Sequence, residues 1–94
     1  MKLSGSIILQ DFITEPNDIC CRTNKQSHDW NEDCIKHSIP FQTFDDDGNL
    51  YHAGLLVDDE HAENQDRVLA YAMNDAGCTY LKVYRNGKWI QEIG

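Results

Sequence analysis

Ninety-four residues suffice for one hydrophobic core and leave no room for a second, so the chain is expected to form a single domain over residues 1–94. Sixteen Asp and Glu face eight Lys and Arg, a net charge of −8; that field repels phosphate backbones and anionic lipid and argues against direct DNA, RNA or membrane binding. The opening apolar run at residues 7–9 is too short for a signal-peptide core or a membrane span, so the expected setting is cytoplasmic, with the four cysteines as reduced thiols.

In chain order, residues 6–13 carry the β-branched and aromatic content of a strand. Residues 14–40 show no sustained period. Thr14 is placed to cap a short helix through Ile19 and Cys20, and Ser27 to cap another carrying Trp30, Cys34 and Ile35; a long ordered loop is the competing reading. Residues 41–44 and 50–57 flank Asp45-Asp46-Asp47-Gly48-Asn49, whose members accept turn dihedrals, so this unit reads as a hairpin. The spacing of Val68, Leu69, Ala72, Met73 and Ala76 predicts a helix over 64–76 with these residues along its buried stripe. Gly77 should end that helix, and Asp58, Asp59 or Asn64 should accept from the amides at its start. Residues 79–84 and 89–93 surround Asn86-Gly87, the strongest short-range hairpin signal. A two-residue turn there pairs Tyr84 with Trp89, Lys82 with Gln91 and Tyr80 with Ile93 on one face, and Val83 with Ile90 on the other.

Paired strands with one good helix predict an α+β domain: an antiparallel sheet built from hairpins, with the helix packed on one face. The helix covers the side of Val83 and Ile90. Tyr80, Tyr84, Trp89 and Ile93 are then left together on the other side, and contiguous exposed apolar surface of that kind usually marks a partner surface.

Three groups of residues invite chemistry. Cys20, Cys21, His28, Cys34 and His37 supply thiolate and imidazole, the preferred zinc ligands, but the adjacent pair and irregular spacing fit a zinc site poorly; small core thiols and surface imidazoles are the plainer reading. Residues 45–66 hold eight carboxylates and no Lys or Arg, and Asp45, Asp46, Asp47, Asp58, Asp59, Glu60 and Glu63 form a candidate surface for a basic protein. A calcium loop aligned on Gly48 lacks the closing Glu, so the acidic run is better read as a solvated turn. His52 and His61, near Asp58, Asp59 and Glu60, form a candidate acid/base pocket beside the aromatic hairpin, against the plainer reading of solvent-facing side chains. Four cysteines and four histidines yield many nucleophile–base pairs, and no local motif selects one. Gly48, Gly54, Gly77 and Gly87 read as punctuation between elements.

The general character of the chain, short, acidic and cysteine-containing, with Gly77-Cys78-Thr79-Tyr80 and Asn86-Gly87-Lys88-Trp89 closing a compact α+β pattern, resembles the orphan proteins of integron-type mobile gene cassettes in environmental bacteria. That resemblance implies self-association and no particular activity. In its acidity the chain is also similar to small phage and plasmid inhibitors that mimic nucleic acid. The expected function is a non-enzymatic protein-binding or regulatory module without a cofactor, a homodimer joined through Tyr80, Tyr84, Trp89 and Ile93, with a basic protein as a further partner. The alternatives are a ligand-binding protein or enzyme at His52 and His61, and a zinc-stabilised adaptor.

Overall fold

The computed structural model describes residues 4–11, 22–59 and 61–93. They form β1 (Ser6–Asp11), β2 (Arg22–Gln26), α1 (Glu32–Lys36), β3 (Ser38–Phe44), β4 (Leu50–Val57), α2 (Glu63–Ala76), β5 (Tyr80–Arg85) and β6 (Lys88–Ile93). The strands make one antiparallel sheet in the order β2-β1-β4-β3-β5-β6, with α2 packed on one face, so the expected α+β architecture is the observed one. Among the described residues no helix is long and apolar enough to cross a membrane.

Turn chemistry sets the hairpins. Asn86 and Gly87 both take positive φ, 54° and 80°, the pair of values that matches the twist of the flanking strands. At the β3–β4 turn Asp45 closes the loop on itself: its carboxylate accepts from the amides of Asp47 and Asn49, the Asn49 side chain and the Tyr51 hydroxyl.

Helix α2 ends as its residues dictate. Gly77 sits in the left-handed region at φ 70°, its amide donating to Met73, while the Cys78 amide donates to Ala72. At the start, the Asp59 carboxylate accepts from the Glu63 and Asn64 amides, doing from outside the helix what Ala62 at the N-cap position lacks a side chain to do.

The core gathers Ile8, Phe41, Leu56, Val68, Leu81 and Val83, with Ile39, Leu69, Tyr71 and Ile93 packed around it. Each fully buried side chain of this size contributes about 1.5–3 kcal/mol. The buried stripe of α2 differs from the expected one: Asn64, Gln65, Val68 and Ala72 are buried, while Met73 is 55% exposed. Asn64 is the reason. Its amide accepts from the Gly5 amide and Ser4 hydroxyl and donates to the Val57 carbonyl and Asp59, so four hydrogen bonds rotate that residue inward and carry Met73 out.

Further corrections lie in the amino-terminal half. The five-residue helix α1 is capped by Asn31, not Ser27, whose hydroxyl instead accepts from the Ser6 amide. Strand β2, Arg-Thr-Asn-Lys-Gln, carries no apolar alternation because it is an edge strand held to β1 by its backbone. Gly54 is not punctuation. It lies mid-strand, where a Cβ would stand 2.0 Å from the Ile7 carbonyl oxygen, so only glycine lets β1 cross at the bulge between Ile8 and Gln10. The helix expected over 14–20 lies outside the described residues.

Candidate functional site

Two faces of the sheet offer different chemistry. On the face away from α2, Tyr84 and Trp89 are cross-strand partners with their rings edge to face at 5.3 Å, each about two-fifths exposed. Tyr80 stacks on Phe44 at 5.1 Å, and the Lys82 ammonium lies 5.5 Å from the centre of the Phe44 ring. Ile93 does not join them. The β5–β6 register shifts between Leu81 and Val83, so Ile93 pairs with Leu81 instead of Tyr80 and packs on the core beneath α2. The face continues through two rows of cross-strand partners, Ile7–Leu55–Pro40 and Gln10–Ala53–Gln42–Lys82. None of these strand positions is Asp or Glu.

Under the carboxyl-terminal end of α2 runs a buried polar relay. His52 and Thr43 are cross-strand partners, both fully buried. The Thr43 hydroxyl lies 2.7 Å from His52 Nδ1, His52 Nε2 lies 3.0 Å from the Asp75 carboxylate, and the Cys78 thiol donates to the Thr43 oxygen at 3.6 Å. One directed chain satisfies every member: Cys78 donates to Thr43, Thr43 to Nδ1, and Nε2–H to Asp75. Cys78 Sγ also stands 4.0 Å from His52 Nδ1, a thiol–imidazole pair brought together among the described residues. The thiol is 1% exposed, which leaves no approach for a substrate atom; the relay therefore ties the end of α2 to β3 and β4 and does not present a nucleophile.

His52 thus faces the core and not solvent, and it does not share a pocket with His61. His61 is exposed in the turn before α2, and the 14-residue helix separates the two by about 21 Å. A pocket lies on the other flank of α2, against β1 and β2. It encloses about 350 Å³, with a predominantly apolar lining that includes Ile8, Val68 and the Tyr71 ring, and with Lys25, Arg67 and Asp29 at its mouth. Tyr71 joins the two regions, its ring edge-on to His52 at 5.7 Å and its hydroxyl 2.9 Å from Lys25 Nζ.

Comparison with protein-family models, with curated proteins and with solved structures found no match.

The expected acidic surface is divided by the fold. Asp45, Asp46 and Asp47 lie at one end of β4 and Asp58 and Asp59 beyond its other end, so an eight-residue strand holds the groups about 26 Å apart. Several of these carboxylates also have internal work. Asp45 is spent on its own turn, whose donors hold its carboxyl below the usual range, first among them the Asn49 amide. Asp58 takes a bidentate grip from Arg85 at 2.6 and 2.9 Å, and Asp59 serves the start of α2. Asp46 and Asp47 are exposed, Glu63 opens α2, and Glu60 lies outside the described residues.

The candidate zinc ligands separate as well. Cys34 is fully buried, its thiol donating to the carbonyls of Ser4 and Asp29 at 3.4 Å, while His28 and His37 are exposed. Cys20 and Cys21 lie outside the described residues, and among the described ones no three His, Cys, Asp or Glu side chains gather to hold a metal.

For His52 a signal existed in the sequence. It alternates in phase with Gly54 and Leu56, the inward positions of β4. For Lys25, Arg67 and Tyr71 there was none, since they meet only where β2 and α2 are brought side by side.

Proposed function

We infer that the protein is a non-enzymatic binding module whose partner is a second copy of itself, docked through the open face of the sheet about a twofold axis. One observation supports this reading most: in a chain of net charge −8, the cross-strand rows of this face hold no carboxylate, with Lys82 and, in the edge strand β2, Arg22 as their charged positions. Two copies repel one another across acidic surfaces, and this face brings no carboxylate of its rows into direct contact, which leaves only the weaker repulsion between the surrounding rims. The aromatic content supports the same reading. Tyr84 and Trp89 are rigid side chains with large apolar area, suited to the centre of an interface, and a twofold axis lets one patch serve both partners.

Sedimentation velocity over a concentration series tests it, with wild type compared with Trp89→Glu and Tyr84→Glu. Both positions lie on the sheet surface outside the core, so the variants should stay folded, with the wild-type far-UV circular dichroism spectrum. The wild type should sediment as a dimer and both variants as monomers. A wild type that stays monomeric at every concentration, or variants that dimerise like the wild type, would overturn the proposal.

A further inference from the structure

The two residues that turn β5 into β6 are also a reactive pair. Asparagine is a thermolabile residue because the peptide nitrogen that follows it can attack its side-chain carbonyl carbon and close a five-membered succinimide. A side chain on the following residue hinders that attack, and glycine has none. The chain has seven asparagines, and Asn86 is the only one that precedes glycine.

The fold leaves both reacting groups uncovered. Asn86 and Gly87 are exposed at the tip of the hairpin, and a Cβ placed on Gly87 would meet no atom within 4 Å. Arg85 and Lys88 pair with each other across the turn, and the Gly87 amide between them makes no backbone hydrogen bond among the described residues. The Asn86 side chain is likewise without a hydrogen-bond partner among those residues. Other asparagines are held: Asn31 accepts from the Cys34 amide, Asn49 donates to Asp45, and Asn64 is bonded on both sides of its amide. Gly48, which follows Asp47, has its amide tied to the Asp45 carbonyl at 3.0 Å.

We propose that Asn86 is a site of spontaneous deamidation in the folded protein. Hydroxide takes the proton of the Gly87 amide, the nitrogen bonds to Asn86 Cγ, the bond from Cγ to Nδ2 breaks, and ammonia leaves with a proton returned by water. Water then opens the ring at one of its two carbonyls. Opening at the side-chain carbonyl leaves an aspartate, which a turn of positive φ accepts. Opening at the main-chain carbonyl leaves an isoaspartate, whose backbone runs through Cβ and Cγ and lengthens the loop by a methylene. A longer loop no longer matches the strand twist, and the Tyr84–Trp89 pair lies one rung beyond Arg85–Lys88. The isoaspartyl form is therefore the one that loses the dimer, a consequence that rests on the self-association reading, whereas the deamidation does not.

The test incubates the full chain in mildly alkaline buffer, with a parallel sample unfolded in urea, and reads asparagine, aspartate and isoaspartate at each position by peptide mass spectrometry. In the folded protein, conversion at position 86 should outrun that at every other asparagine, yield isoaspartate alongside aspartate, and rise in proportion to hydroxide. Asn86→Gly keeps a turn that accepts positive φ and should age without loss of its hairpin. Asn86→Asp carries the aspartyl product and should keep the wild-type amide shifts outside the turn and the wild-type sedimentation. The isoaspartyl form, separated by chromatography, should show shifted amides over residues 84–89 and sediment as a monomer. Four results would overturn the proposal: an intact Asn86 while another asparagine converts, conversion confined to the urea sample, a rate indifferent to hydroxide, or an isoaspartyl form with the wild-type hairpin shifts. A protein that is monomeric before incubation counts against the dimer reading alone, because the chemistry at Asn86 is read by mass.

Discussion

Thr43 shows how much a single hydroxyl organises here. It sits fully buried between His52 Nδ1 and the Cys78 thiol, giving its proton to one and its lone pair to the other. Thr43→Val keeps the shape and deletes both bonds, leaving a buried imidazole nitrogen without a donor. That should cost about 1–3 kcal/mol, most of it from the orphaned His52. Chemical denaturation measures the loss, and a variant within experimental error of wild type would mean that the imidazole has found another partner. Gly54 and Asn64 belong to the same scale. One admits a neighbouring backbone by having no side chain, and the other anchors the start of β1, the end of β4 and the beginning of α2 through one amide.

At the scale of the element, α2 depends on a carboxylate that lies outside it. Burial pushes the Asp59 carboxyl up, but hydrogen bonds from the Asn64 and Glu63 amides and the Asn64 side chain outweigh burial and hold it below its ordinary value. A carboxyl depressed in the folded state lends stability above its unfolded value, near pH 4, and that stability is lost as pH falls through the folded value. Asp59→Ala should therefore lower stability by about 1 kcal/mol at neutral pH, with the gap to wild type closing as the pH is taken below about 4. Thermal melts of both proteins between neutral pH and about pH 3 measure this, and a gap constant across the range would assign Asp59 a role other than its charge. The carboxyl-terminal hairpin shows a second dependence of this kind: Arg85 grips Asp58 and Glu92 together, fastening β6 to the connection that leads into α2.

For the molecule as a whole, the charge distribution makes a prediction with a sign. The carboxylates ring the sheet at both ends of β4 and along the start of α2, while the rows of the open face carry none. Two copies meeting through that face bring their acidic rims toward each other at distances comparable with the Debye length, about 8 Å at physiological salt. Added salt screens that repulsion, so the dimer should tighten as sodium chloride is raised from low to physiological concentration, measured as a falling dissociation constant in sedimentation equilibrium. Weakening with salt would instead indicate an interface built on opposite charges. Docking to a basic protein carries that opposite sign, so the same salt series separates the two kinds of partner.

The elements that local chemistry controls were legible in the residues themselves. Asn86-Gly87 sets a hairpin because both positions need positive φ, Gly77 ends α2 for the same reason, and the acidic run before β4 folds into a turn closed by its own first aspartate. The inward set of β5, Leu81 and Val83, followed from alternation alone. What lay beyond reach depended on neighbours distant in the chain. An inserted residue in β6 turned Ile93 to the core, Asn64 rotated α2 so that Met73 faced water, and β4 carried the two acidic groups to opposite ends of the sheet. Strand β2 gave no apolar signal because an edge strand is held by backbone bonds that any residue can make. The Thr43–His52–Asp75–Cys78 relay and the pocket beneath Lys25 and Arg67 join residues from separate strands and from α2. Turns and caps are decided by dihedral demands within a few residues, whereas sites are decided by which faces the whole sheet and its helix bring together.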